Sequence, residues 1–488
     1  MTAKNSPVRL GLAIAMLAST TGLSAQQDAA IKTDATLDAF AAGYRAAFTC
    51  SGTFNAGKLA DHIERDEITG IRPDLQERQA NITNIDVNLT QKRVTVSYDG
   101  GAKNRVSQWV EGRGCVLLPV GSSSSDLEAA IATLTPIKRS APTGRNVADT
   151  GAPWVKHASI GESGDGELDA IVARAFSDKD LGKDAYTTAI LIATPDEIIA
   201  ERYTEGYGPT VSQRTWSVAK SIAATVIGTA VHKGMIDVED TNLLKAWSAP
   251  GDPRRNIKLY NLLRMASGLD SNRQGNRTER LYYGGGTVAE TAVVNALEVV
   301  PHTRYKYANN DTLLATKALM ERLPEGERLS YPYEALIDKI GMHHTYLETD
   351  WQGDFILSSQ VWTTARDLAR LGVLHLQDGV WEGERLLPAN WNWYITNPMG
   401  PQPPVRGGRN PIAGYGAQWW LYNDRFAEDF PGLPTDTFAA RGNRGQILMV
   451  IPSRNLVIVR RGHDPAGGEG FRIHAFAEEV VKLLDSRR

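Results

Sequence analysis

Cysteine is scarce: Cys50 and Cys115 are the only two in 488 residues. Neither has a histidine beside it that would suggest metal or nucleophile chemistry. Positive charge is not in surplus. The 53 Lys and Arg set against 56 Asp and Glu leave a net charge of -3, so nothing is available to hold a phosphate backbone and nucleic acid is not expected as a partner. Beyond the first residues, no apolar run is long enough to span a bilayer, and no stable membrane anchor is expected. No serine sits in a G-x-S-x-G elbow, which argues against a Ser-His-Asp hydrolase. The adjacent His343 and His344 in GMHHTYL cannot share a helix face as an H-E-x-x-H pair does. No metal and no cofactor is therefore expected.

What the chain does have begins with MTAKNSPVRLGLAIAMLASTTGLSAQQ. Lys4 and Arg9 precede a short apolar core from Leu10 to Leu17, and Ser24 and Ala25 offer a small-residue cleavage site. This is the layout of a secretory signal peptide over 1–25 and implies a periplasmic or secreted protein. In an exported chain, one pair of cysteines suggests one disulfide, Cys50 to Cys115.

Residues 26–120 read as a small α+β N-terminal domain. TLDAFAAGYRAAF has helical character, NITNIDVNLTQKRVTVSYDG alternates as half-buried strands do, and GCVLLP closes a further strand. VGSSSSD opens a stretch dotted with Pro and Gly, expected as a linker over 121–155. A second domain is expected over 156–488. TTAILIATPDEIIAERY reads as two strands around Pro195-Asp196, helices dominate from Ser217 to Leu376, and YGAQWWLYN, QILMVIP and LVIVRRG return to strand character before a closing helix. Strands at both ends with helices between them predict an α/β arrangement: an antiparallel sheet built from sequence-distant strands, flanked by helices.

RTWSVAKSIAATVIG carries the chemistry. Ser217 and Lys220, at i and i+3, share one helix face. A serine hydroxyl needs a neighbouring base to become a nucleophile. Burial and the positive end of the helix dipole would both push the lysine toward the neutral form that can serve. The amide at the helix start, on Ser217, is a candidate oxyanion donor. Further on, RYKYANNDTLL places Tyr307 and Asn309 as Y-x-N ahead of an apolar helix, and Tyr307 could relay the serine proton. ARGNRGQILMVIP carries Gly442 and Gly445 ahead of a strand, with the Gln446 amide as a second candidate oxyanion donor.

S-x-x-K, Y-x-N and a Gly-rich strand entry, in that order, resemble the serine β-lactamase and penicillin-binding-protein superfamily, in the branch of class C β-lactamases, D-Ala-D-Ala carboxypeptidases and esterases. LLRMASGLD, VWTTARDLARLGVLHLQDGVWEGERLLPANW and YGAQWW agree, and TTARDLARLG and GNRGQ are closest in wording to the aminohexanoate-dimer hydrolase group, which cleaves linear amides. The resemblance spans residues 180 to 465. It implies an α/β sheet domain with an all-helical subdomain and an active site between them. It also implies Ser217 as nucleophile, Lys220 and Tyr307 as general base and acid, and substrate contacts from Asn309, Asn443, Arg444 and Gly445.

One departure bears on the substrate. Asn443-Arg444-Gly445 stands where penicillin-recognising members carry K-T-G, so the cation that grips a β-lactam carboxylate is missing from its place, leaving Arg444 or Arg441 to supply one. The expected partner is a small amide or ester. The competing readings are a D-Ala-D-Ala carboxypeptidase or β-lactamase, and a sensor or scaffold that is acylated without turnover. The oligomeric state is not legible in the sequence.

Overall fold

The computed structural model describes residues 34–70, 73–122, 124–140, 156–157, 159–271, 278–404, 413–422 and 424–487. The expected signal peptide at 1–25 lies outside the described residues.

The N-terminal unit opens with helix α1 (Asp34–Phe54), followed by strands β1 (Ile82–Asn88), β2 (Arg93–Tyr98), β3 (Lys103–Val110) and β4 (Gly114–Leu117). The four strands pair antiparallel in sequence order, and α1 lies across β2, β3 and β4. Cys50 of α1 and Cys115 of β4 are disulfide-bonded across a separation of 65 residues, a closure that contributes about 4 kcal/mol in the chain-entropy account. The stretch expected as a linker is partly structured: helix α2 covers Ser124–Ala132, Leu134 and Ile137 are buried, and Arg139 forms a buried ion pair with Asp338.

The larger unit is built on an eight-stranded sheet. Its strands are β5 (Lys156–His157), β6 (Thr187–Ala193), β7 (Glu197–Tyr203), β8 (Gly414–Tyr415), β9 (Trp420–Leu421), β10 (Phe438–Gly442), β11 (Gln446–Ile451) and β12 (Leu456–Gly462), in the spatial order β8-β9-β10-β11-β12-β6-β7-β5. Every pairing is antiparallel except β5 with β7. The central strands are buried on both faces. In β6, Ala189, Leu191 and Ala193 join one core while Ile190 and Ile192 join the other, as the two-residue strand period requires. Helices α3 (Gly166–Ser177) and α7 (Ile473–Asp485) cover the second face. The Asp165 carboxylate caps α3 by accepting from the Glu167 and Leu168 amides. On the first face lie α4 (Val218–His232), α5 (Asn309–Arg322) and α6 (Ala365–Leu376), with the shorter helical segments between them. The expected architecture, an antiparallel sheet with flanking helices and a helical region between its first and last strands, is the one observed. YGAQWWLYN differs: it is a hairpin of two short strands, β8 and β9, with Gln418 in the left-handed region at φ 66°.

The two units share a core. Tyr44 and Phe48 of α1 belong to the same buried cluster as Val218 and Ile222 of α4. Polar ties reinforce the contact: Arg113 donates to Thr349 Oγ1 (2.7 Å) and to the Asp350 carbonyl (2.9 Å). The buried Glu348 carboxylate accepts from Ser51 (2.6 Å), Asn55 (2.8 Å) and the Cys115 amide (3.3 Å).

Burial raises the Glu348 pKa from 4.5 to about 7, so between those values the folded chain keeps a proton that the unfolded chain releases. That contribution to stability is complete below pH 4.5 and is lost as pH rises through 7. Glu348→Gln retains the acceptor and does not titrate. Its stability relative to the parent rises by about 1–3 kcal/mol between pH 4 and pH 8. Parallel denaturant titrations at the two pH values check this, and a pH-independent difference contradicts it.

Candidate active site

The nucleophile candidate sits at the entry to α4, a largely apolar helix buried on every side from Val218 to Ala230. A two-residue strand, Gln213–Arg214, leads in, pairing with Val361–Thr363, and the Thr215 amide donates to the Val361 carbonyl (2.8 Å). Trp216 then turns in the left-handed region at φ 50°, an uncommon conformation for an aromatic residue and a local strain of the kind found where a side chain must be presented. The Val218 and Ala219 amides donate to the Thr215 and Trp216 carbonyls and close the turn. Ser217 stands half-buried at the N-cap.

Lys220, one turn on, is 1% exposed. Its Nζ lies 3.0 Å from Ser217 Oγ and donates to Asn309 Oδ1 (2.7 Å) and the Ser358 carbonyl (2.7 Å). No carboxylate is among these partners, and burial pushes the ammonium down from 10.5 to about 7. Near neutral pH this lysine is therefore divided between its acid and base forms. A surface lysine at the same i+3 spacing would remain an ammonium.

Tyr307 arrives on the extended segment ahead of α5. Its side chain hydrogen-bonds Ser217, and the Lys220 Nζ lies 5.1 Å from its ring centre. The ring keeps 40% of its surface open, forming one wall of the cleft with Trp420 (centroids 5.7 Å apart) and Tyr415 (6.0 Å). The phenol is held above the ordinary tyrosine pKa, because desolvation of the hydroxyl outweighs the Ser217 bond and the nearby Arg441 charge. It is a phenol at neutral pH, able to accept and donate within a relay. Asn309 is committed on both sides of its amide, accepting from Lys220 and donating to Thr278 Oγ1 (3.1 Å). The structure thus gives it a lysine-holding position.

The third element requires a correction. The strand segment beside Ser217 ends at Gly442, not at Gly445. A Cβ on Gly442 would lie 2.2 Å from the Thr215 carbonyl oxygen and 3.1 Å from the Ser217 amide nitrogen. Only glycine lets β10 come this close, leaving a notch in front of the Ser217 N–H. Among the described residues the edge of β10 past Ala439 has no strand partner, since β9 pairs with Phe438 and Ala439 alone. Residues Ala440-Arg441-Gly442 therefore stand at the position assigned to 443–445 from the sequence.

Arg444 is buried and turned away. It donates to the carbonyls of Asp464 (3.0 Å), His463 (3.0 Å) and Asp66, and so clamps the N-terminal unit to the larger one. Gly445, at φ 76°, backs onto Arg460 and Asp464. Gln446 lies buried inside the ladder opposite Gly442, and its side chain engages Arg461 (2.7 Å) and the Gly462 carbonyl. The β10–β11 turn carries Arg444 and Gly445 away from Ser217, whereas Gln446, paired with Gly442, keeps its Cβ on the Gly442 face, 3.1 Å from where a Gly442 Cβ would lie. Asn443, exposed at the head of that turn, is the first residue after the notch. Arg441 is a cation at the cleft, its charge close enough to influence both Tyr307 and Tyr422. The signal for Gly442 was present in ARGNRGQ, but its two glycines could not be ranked without the register. The Ser358 carbonyl, a backbone group, has no sequence signal at all.

Among the described residues no group of acidic, histidine and cysteine side chains is arranged to hold a metal ion, and no helix is long and apolar enough to cross a membrane.

A family model described as Beta-lactamase matches residues 173–475, more than half of the chain. The 6-aminohexanoate-dimer hydrolase of Paenarthrobacter ureafaciens is 24% identical over 311 residues, covering 60% of this chain and 76% of that protein. Two solved structures share the fold. One, from Bacillus anthracis and provisionally described as a 6-aminohexanoate-dimer hydrolase, has a TM-score of 0.52 at 19% identity, over 77% of this chain and 96% of its own. The other, from Bacteroides dorei and provisionally described as a beta-lactamase, has a TM-score of 0.51 at 19% identity, over 65% of this chain and 98% of its own.

Proposed function

Since the chain belongs to the beta-lactamase family, we propose that it is an exported serine hydrolase that cleaves a small amide or ester through an acyl-enzyme on Ser217. The observation that carries this reading is the buried Lys220 amine, 3.0 Å from Ser217 Oγ and, among the described residues, without a carboxylate partner to hold it charged. In acylation, Ser217 Oγ bonds to the substrate carbonyl carbon and its proton passes to Lys220. The carbonyl oxygen, now an oxyanion, sits in the notch between the Ser217 amide and the Asn443 amide that follows Gly442. When the C–N or C–O bond breaks, the leaving nitrogen or oxygen takes a proton through Tyr307, and the phenol recovers one from Lys220. Water repeats the sequence on the ester and releases the acid. The Cys50–Cys115 disulfide fits an oxidising compartment, periplasmic or secreted.

On the edge strand Ala440, not a lysine, takes the place of the K of K-T-G, and Arg441 follows it as a cation near the cleft. β-Lactams are accordingly poor substrates, and linear amides and esters are preferred. The test is a single purified sample of the mature protein, labelled with a fluorophosphonate and assayed on nitrophenyl esters, linear oligoamides, D-Ala-D-Ala peptides and nitrocefin. The adduct maps to Ser217, and the best ester or amide exceeds nitrocefin by about ten- to a hundredfold in kcat/KM, the worth of a charge-assisted hydrogen bond. Labelling elsewhere removes the nucleophile assignment. Nitrocefin turnover equal to the best ester removes the substrate preference.

A further inference from the structure

Among the described residues Arg214 is a buried cation with no carboxylate in hydrogen-bond contact; Glu67 and Glu348 act on it only through their charge at longer range. Arg214 is 1% exposed, its Nε has no hydrogen-bond partner among the described residues, and its Nη2 donates to Ser359 Oγ at 3.1 Å. Aromatic faces take the place of an anion: its guanidinium carbon lies 3.6 Å from the ring centre of Trp216, 4.1 Å from that of Phe48 and 5.9 Å from that of Tyr282. A guanidinium is attracted to such faces, and more strongly when water is excluded.

Each wall of this box leads to the site. Trp216 is the left-handed residue directly before Ser217. Tyr282 shares a hydrogen bond with Ser358 Oγ (2.6 Å), and the Ser358 carbonyl accepts from Lys220. Phe48 comes from α1, outside the stretch that matches the family model. The same unit steadies the Tyr282 wall, since Arg105 of β3 donates to the Tyr283 carbonyl at 3.2 Å. Arg214 is thus the joint at which the N-terminal unit, the nucleophile turn and the loop holding the lysine meet.

We infer that the N-terminal unit is a positioning element for the proposed hydrolytic site, and that Phe48 acts through Arg214 to hold Ser217 and the Ser358 carbonyl in register with Lys220. This rests on Ser217 being the nucleophile. Phe48 and Arg214 touch no substrate, so their loss slows the chemical step and leaves substrate binding unchanged. A loosened box also admits water toward Lys220, which moves its amine back toward ordinary lysine behaviour.

The experiment measures fluorophosphonate labelling rates of Ser217 across pH 5–10 for the full mature chain and for Phe48→Leu, Arg214→Met and Val96→Ala. Arg214→Met replaces a buried unpaired cation with a neutral side chain of similar volume, a change that often leaves stability intact. Val96→Ala creates a cavity in the N-terminal core away from the box and reports the effect of destabilisation alone. Phe48→Leu and Arg214→Met label about ten- to a hundredfold more slowly, as misplacement on the ångström scale produces. Their rates rise with pH through a midpoint above that of the parent, KM for the best ester is unchanged, and Val96→Ala keeps the parent midpoint. Parent-like rates and midpoints in both box variants overturn the inference alone, as does an equal shift in Val96→Ala. A parent chain unlabelled at Ser217 overturns the nucleophile reading and this inference together.

Discussion

Lys220→Ala and Tyr307→Phe each lower kcat by about 10²–10⁴-fold, the range of general acid–base assistance, with KM little changed. The double variant is scarcely slower than the poorer single one. The reason lies in the geometry: the lysine amine and the phenol both engage the Ser217 side chain, so neither moves the proton without the other. Groups that act as a unit lose their effect together. The pH profile carries a second signature. Neutral Lys220 is the active form, so the parent rate is low below its midpoint near pH 7 and rises through it. Steady-state kinetics on the best ester across pH 5–9 check both points. Fully additive losses, or a Tyr307→Phe enzyme with normal kcat, would reduce Tyr307 to a wall of the cleft.

Gly442→Val costs about 10²–10³-fold in kcat, the worth of one oxyanion donor, while Gly445→Val leaves the chemistry of any folded enzyme intact and lowers its stability instead. A Cβ at 442 meets the Thr215 carbonyl oxygen at 2.2 Å and crowds the Ser217 amide at 3.1 Å. The strand must retreat, and the notch fills with methyl groups. A Cβ at 445 meets Arg460 and Asp464, remote from the nucleophile, in a backbone conformation that glycine alone adopts easily. Paired measurements of kcat and melting temperature separate the two. A Gly442→Val protein with normal kcat would move the oxyanion site elsewhere.

The Ser217–Lys220 pairing was legible because its geometry is local. Ser217, Lys220 and the apolar run behind them need only helix periodicity to share a face, and Tyr307 and Asn309 need only the two-residue spacing of one extended segment. The third element was offset by three residues because ARGNRGQ offers two glycines within one short stretch. The deciding fact is which glycine faces Thr215 and Ser217, and that depends on sheet register between distant segments. Strand β3 showed no alternation for a related reason. Arg105, Ser107 and Gln108 read as polar yet are buried, Arg105 by donating to the carbonyls of Ala39 (2.7 Å), Leu118 (3.1 Å) and Tyr283 (3.2 Å). The box around Arg214 was invisible for the same cause, since Phe48 and Tyr282 reach it only through the tertiary fold.

The pairing of β6 with β12 sets the order in which the molecule can assemble. Ala193 lies opposite Val457, so the central sheet cannot close until nearly the whole chain has been delivered. The N-terminal unit faces no such wait: its strands pair in sequence order and its disulfide lies within its own bounds. During delivery from the N-terminus it can form first and hold Tyr44 and Phe48 as an apolar template on which α4 later docks. Until β12 arrives, β6 has an open apolar edge of the kind that recruits other chains. Refolding yield should therefore fall steeply with protein concentration, while the yield of the correct disulfide should not.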